Sequence, residues 1–314
     1  MARNKVRFQK GLSDTAFAAR YGSEDQCRAE VFRMRWPHGF ECPACGSRAF
    51  CVLERRDLHQ CNACNTQTSL TAGTIYANTK LPLTTWFRAQ FLITQSKQGI
   101  SSVELGRRLG VRQQTAWKIK SKLVQAMLER DAKKKLDGRI EMDDAYLGGR
   151  RSGGKRGRGS PGKRPFVASV ETTRDGRPKR VHLRRVKRFT KKAIAKLASA
   201  TLAPTAEVLT DGLGCFRGLK EKIATHTTLV AAQLGWSEKL PQFKWVNTIL
   251  GNIKSAIVGT YRAVRSHADR TLAEFEWRFN RRSDLASMIP RLTYAAVHAP
   301  PMPYRLLKIA ESSG

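Results

Sequence analysis

The chain is 314 residues long, room for two or three domains of about 100–200 residues, and at 41% hydrophobic it is not a wholly disordered polymer. Lys and Arg number 58 against 25 Asp and Glu, a formal charge of +33 that calls for a polyanionic partner. No run of about 18 apolar residues occurs, so no transmembrane helix is expected, and the opening MARNKVRFQKG has no apolar core of a secretory signal.

In chain order, residues 1–35 are predicted helical. Ser23 with Gln26 forms a capping box, and Cys27, Val31, Phe32 and Met34 supply apolar positions. Residues 36–75 are rich in Cys, Gly and turn residues with short β-prone pieces. Here four of the seven cysteines form Cys42-x-x-Cys45 and Cys61-x-x-Cys64, separated by 15 residues. Each tight turn aims two thiolates at one point, and two such turns complete a tetrahedron around Zn²⁺. So small a unit has little core, so the metal would supply much of its folding free energy. Such ribbons serve as DNA readers, protein adaptors or structural staples. Cys27 and Cys215 read as ordinary buried residues, and Cys51 lies off the pattern.

Residues 84–97 predict a buried helix through Trp86, Phe87, Phe91 and Ile93. Residues 101–127 read as helix, Leu-Gly-Val turn, helix, with Val103, Leu105 and Leu109 giving the first helix an apolar side and Ala116, Ile119 and Leu123 doing so for the second. In a DNA-binding helix-turn-helix, Arg112, Gln113, Gln114 and Thr115 would begin the helix that meets base edges, and Lys118, Lys120 and Lys122 would face phosphates. An ordinary helical hairpin would share this pattern.

Residues 138–220 alternate β-like runs with one helical stretch. In Ile140-Glu141-Met142-Asp143-Asp144, the strand period puts Glu141 and Asp143 on one face and Asp144 on the other. The run Val208-Leu209-Thr210-Asp211-Gly212 ends on a second aspartate. Two carboxylates from neighbouring strands repel each other unless a cation lies between them, and Mg²⁺ suits such oxygen donors. A salt bridge from each aspartate to a nearby arginine accounts for the same residues. Between these runs, residues 148–164 hold seven Gly and seven Lys or Arg with no acid. Arg150, Arg151, Lys155, Arg156 and Arg158 there are candidate phosphate contacts. Residues 245–262 and 270–282 are predicted helical, and the prolines at 300, 301 and 303 predict an irregular tail.

The segments Arg35–Gly46, Leu109–Lys118, Ile140–Gly149, Thr210–Gly212, Val246–Lys254 and Glu274–Arg282, in that order, resemble bacterial insertion-sequence transposases with an N-terminal zinc ribbon and a DDE-type catalytic domain. The resemblance implies an α/β fold, an RNase H-like mixed sheet with flanking helices, after a zinc ribbon and a helix-turn-helix. It places the first two catalytic aspartates on Asp143 and Asp211, with Mg²⁺ (or Mn²⁺) as the catalytic ion and Zn²⁺ as a structural one. The family's third acidic position, usually Glu, falls on Asn247, 36 residues after Asp211. A variant of the group has Asn there with Lys seven residues on, which Lys254 fits; seven residues fall about 20° short of two full helical turns, so both share a face. Glu274 and Glu276 are rival third ligands, and Asn247 alternatively reads as a helix cap.

The expected division is residues 1–78 for the N-terminal helix and ribbon, 79–133 for the helix-turn-helix region, 134–298 for the catalytic domain and 299–314 for the tail. The implied activity is cleavage at element ends and strand transfer into target DNA. The implied partners are double-stranded DNA carrying terminal inverted repeats, target DNA and at least one further copy of the chain; no membrane partner is expected, and the expected location is the cytoplasm, at the nucleoid. A transposase-derived DNA-binding regulator with a dead site, and an RNase H-like nuclease or resolvase without strand transfer, are the rival readings.

Overall fold

The computed structural model describes residues 11–148, 163–229, 241–260 and 267–312. The chain divides into two compact units, one of residues 1–130 with 281–308 and one of residues 131–280 with 309–314.

The first unit opens with α1 (Asp14–Tyr21) and α2 (Glu24–Arg35). Ser23 and Gln26 cap α2 reciprocally, as their spacing predicts. A three-stranded antiparallel sheet follows: β1 (Phe50–Leu53), β2 (Leu58–Cys61) and β3 (Gln67–Thr68). Phe32, Trp36, Phe40 and Phe50 surround the His59 ring, with centroids 5.5–5.8 Å from it. This aromatic cluster gives the small sheet a core of its own. The helix predicted over 84–97 is α3 (Leu83–Gln95), buried at nine positions including Trp86, Phe87, Phe91 and Ile93. Next come α4 (Ser102–Leu109) and α5 (Gln113–Asp131).

The second unit carries a mixed sheet of β4 (Arg139–Leu147), β5 (Arg164–Thr172), β6 (Pro178–Arg185), β7 (Glu207–Thr210) and β8 (Thr225–Thr228), in the order β6-β5-β4-β7-β8. The first three strands pair antiparallel, and β4–β7 and β7–β8 pair parallel. Alternate residues of β4 face opposite cores, as the strand period requires. Ile140 and Met142 join Ile194 and Ala198 of α6 (Lys191–Thr201). Ala145 and Leu147 join Val246, Ile249 and Ile253 of α7 (Lys244–Gly259) and Leu272 of α8 (Ala268–Asn280).

Helix α8 closes the edge of the sheet. The Asn280 side chain accepts from the Val181 backbone N–H at 2.7 Å and donates to the Val181 carbonyl at 2.9 Å. Glu276 accepts from the Leu183 N–H at 3.0 Å and from Arg184 Nη2 at 3.0 Å. An edge strand otherwise leaves such groups open to pairing with another chain.

Two expectations change. The helix α9 (Met288–His298) belongs to the first unit rather than to the catalytic domain: Thr293 donates to Gln90 on α3 at 3.0 Å, and the Ala296 carbonyl accepts from Ile75 N–H at 3.1 Å. An amphipathic pattern shows that a face is buried but not against what. The tail is also not irregular, since α10 covers Tyr304–Ser312. Its prolines precede the helix, where a missing N–H costs nothing; Leu307 is fully buried, and the exposed Tyr304 ring lies edge-on to Trp117.

Replacing Asn280 by Ala leaves both Val181 backbone groups without this partner. A loss of about 1–3 kcal/mol in urea-unfolding stability is expected; unchanged stability would remove Asn280 from the account of the sheet edge.

Candidate active site

The register of β4 and β7 builds the site. Met142 pairs with Thr210 in the last step of their parallel ladder. Asp143 and Asp211 are therefore the next residues on adjacent strands, which lie about 4.8 Å apart in a sheet. Where β7 ends, β4 continues to Leu147 with an open side. Carboxylate oxygens of Asp143, Asp144 and Asp211 all lie within 4.8 Å of one another there. Asp144 is the residue that sequence reasoning missed. The strand period sends it to the opposite face, but at the open edge beyond β7 its side chain reaches the same point as Asp143. The available signal was its place directly after Asp143 in the run Ile140–Asp144.

Local bonds set these side chains. Asp143 Oδ1 accepts from the Asp144 backbone N–H at 2.8 Å. Asp211 Oδ1 accepts from the Leu213 N–H at 3.0 Å, the hydrogen bond of an Asx-turn. Burial pushes the Asp143 carboxyl up to about 6, and the charges of Asp144 and Asp211 act in the same direction. The Asp144 N–H and the Lys254 ammonium pull the other way. Lys254 thus acts electrostatically on the first aspartate, from an exposed position on α7. Asn247 is exposed on the same helix.

The rival third ligands lie elsewhere. Glu276 is 2% exposed and engaged with Arg184 and the Leu183 N–H on β6, and Glu274 lies 3.8 Å from Arg278. Crowded carboxylates offer hard oxygen donors, the set that fits a divalent cation such as Mg²⁺.

The cysteines form a second centre. Cys42, Cys45, Cys61 and Cys64 place their sulfurs within 4.8 Å of one another. The Cys42–Cys64 and Cys45–Cys61 sulfurs are 3.6 Å apart, close to the roughly 3.8 Å edge of a tetrahedron with 2.3 Å Zn–S bonds. The two knuckles repeat one geometry. Cys42 N–H donates to the Ser47 carbonyl and Gly46 N–H to the Cys42 carbonyl; Cys61 N–H donates to Thr66 and Asn65 N–H to Cys61 in the same way. Gly46 and Asn65 occupy the matching left-handed positions, φ 74° and 58°. The Thr66 hydroxyl, 3.2 Å from Cys64 Sγ, leads the contacts that hold that thiol down at about 6, which favours the thiolate a metal needs.

In the helix-turn-helix, Gly110 takes the left-handed conformation (φ 66°) that ends α4. Arg112, Gln113, Gln114 and Lys118 are exposed at the start of α5, and Thr115 is half-buried. Gln113 Nε2 donates to Ser102 Oγ at 2.9 Å, so that amide is engaged within the motif. Val103, expected on the apolar side, is 49% exposed. Lys120 and Lys122 do not face outward as expected; they donate to the Ile100 and Ile75 carbonyls, their stems lying along the protein. The candidate contacts Arg150, Arg151, Lys155, Arg156 and Arg158 lie outside the described residues.

A mixed sheet in this strand order, with helices on its faces and with Asp143 midway along β4 beside Asp211 at the end of β7, is the arrangement of an RNase H-like transposase domain. Residues 135–280 match the ISXO2-like transposase domain and residues 22–67 the transposase zinc-ribbon domain. The chain thus carries the N-terminal zinc ribbon and the DDE transposase domain of ISXO2-like transposases. No curated protein matches it. Among the described residues no helix is long and apolar enough to cross a membrane.

Two outcomes follow from these centres. A group whose folded pKa lies above its unfolded value of about 3.9 gives stability that is complete below that value and lost as pH rises through about 6. Asp143→Asn is therefore expected to stabilise the magnesium-free protein by about 1–3 kcal/mol at pH 7.5 and by almost nothing at pH 4, in urea titrations. Equal effects at both pH values would contradict that assignment. Cys42→Ser is expected to release zinc and unfold the ribbon; retention of both the ion and the β1–β3 amide protection would refute the four-cysteine centre.

Proposed function

We propose that this transposase cleaves DNA at the ends of its element and joins the freed strand to target DNA, through a site made of Asp143, Asp211, Asn247 and Lys254, with Asp144 as a further ligand. The observation that carries the reading is the meeting of the three carboxylates where β7 ends. Asp143, Asp144 and Asp211 would hold Mg²⁺ or Mn²⁺, which when bound supplies charge stabilisation to an in-line phosphoryl displacement and lowers the pKa of an attacking water or hydroxyl. The chain's own groups do the rest. Burial and the neighbouring carboxylates oppose the charge of Asp143, and a bound divalent cation would offset both. Lys254 holds a fixed positive charge beside Asp143, suited to a phosphate oxygen of the reacting strand. Asn247 offers a neutral amide, able to orient a water or a phosphate, where a carboxylate would add further repulsion.

The DNA ends would be held by the ribbon and by the exposed start of α5, where Arg112, Gln113, Gln114, Thr115 and Lys118 lie. Arg150, Arg151, Lys155, Arg156 and Arg158 would add phosphate contacts. The charge of +33 supports a partner with a dense phosphate backbone. Joining two ends in concert requires at least two copies of the chain on DNA.

The test uses the full chain, duplex DNA carrying the element ends and Mg²⁺. Asp143→Asn, Asp144→Asn and Asp211→Asn are each expected to lower cleavage and joining by roughly a hundredfold or more while binding the ends as tightly as the parent. Cleavage without joining by the parent would favour the nuclease reading. Binding with no cleavage would favour the regulator.

A further inference from the structure

Glu141 is an acid that the metal centre leaves unused. It is 4% exposed and sits two residues before Asp143 on the same face of β4, outside the three-carboxylate cluster. Its Oε2 accepts from the backbone N–H groups of both Trp245 and Val246, at 2.9 Å each. These are the second and third residues of α7, whose preceding residue, Phe243, supplies no side-chain cap. First-turn N–H groups have no partner within their own helix, and an acceptor normally comes from the residue just before it. Here the acceptor comes from a strand more than 100 residues earlier in the chain. A carboxylate at this place also complements the positive end of the helix dipole.

The consequence is geometric. The two donors immediately precede Asn247, and Lys254 lies two turns further along α7. Advancing α7 by one residue would turn it by about 100° and shift it by about 1.5 Å, which breaks both bonds. We propose that Glu141 is a positioning residue: its carboxylate clamps the start of α7 to the strand that bears Asp143, and so sets Asn247 and Lys254 against the acidic cluster. The inference rests on the reading of Asn247 and Lys254 as site residues.

The test compares Glu141→Gln, which keeps an oxygen acceptor for both N–H groups, with Glu141→Ala, which removes it. With Mg²⁺ and end-containing duplex, the Gln variant is expected to keep kcat within about threefold of the parent. The Ala variant is expected to lose kcat on the order of a hundredfold, with KM for DNA within about twofold. A second readout does not use activity. In protein labelled with ¹⁵N-asparagine, Mn²⁺ is expected to broaden the Asn247 side-chain amide signal in the parent and the Gln variant, and far less in the Ala variant.

Parent-like kcat and broadening in the Ala variant would overturn the inference, as would a Gln variant as impaired as the Ala variant. If the Ala variant does not fold, the Gln variant and the parent decide: a poorly active Gln variant, or unprotected Trp245 and Val246 amides in the parent by hydrogen exchange, overturns the clamp. A parent that cuts no DNA yet shows the expected broadening pattern would remove the strand-joining reading and leave the positioning role standing.

Discussion

The parallel register of β4 against β7 is the constraint on which the site depends. Because Met142 pairs with Thr210, the residues that follow on each strand are brought side by side, and both are aspartates. A slip of one residue would send one of them to the opposite face of the sheet. That register is in turn held by two cores, with Ile140, Met142 and Val208 facing α6 and Ala145, Leu147 and Leu209 facing α7 and α8. Apolar packing therefore places Asp143 and Asp211 side by side despite their mutual repulsion. The fold tolerates this because the repelling groups stand at the end of the ladder, away from its centre.

The distribution of acids in this basic chain follows the same economy. Glu276 is spent on sealing the sheet edge and holding Arg184, and Glu171 on pairing Lys179 and Arg180 at 2.7 and 2.8 Å. Glu141 caps a helix from a distance. Among the described residues, the carboxylates of Asp143, Asp144 and Asp211 gather at the end of β7, where burial already works against the charge of Asp143.

Much of this was legible in the residues. The spacing of the cysteines implied two tight turns around one ion, and the structure brings the four sulfurs together. The Ser23–Gln26 box and the apolar run around Trp86 marked their helices because capping and burial are local properties of sequence. Asp143 and Asp211 were legible as a pair because each ends or interrupts a β-like run. Asp144 was not, because the two-residue period assigns it to the opposite face, and only the structure shows its carboxylate reaching the same point as those of Asp143 and Asp211. Lys120 and Lys122 were misread since a lysine's charge says nothing of where its four-carbon stem lies. The partner of α9 was beyond local pattern: which unit a helix joins is decided by complementary surfaces distant in sequence. The helical tail was hidden by prolines, which break a helix in its interior but begin one readily.

The covered edge of the sheet limits how copies of this chain can meet. With Val181 and Leu183 already bonded to Asn280 and Glu276, β6 offers these backbone groups no free partner for a strand from a neighbour. A second chain therefore cannot extend this sheet through those positions. At this edge, contacts between copies would be left to side chains, which guards against the ribbon-like aggregation that an open strand invites.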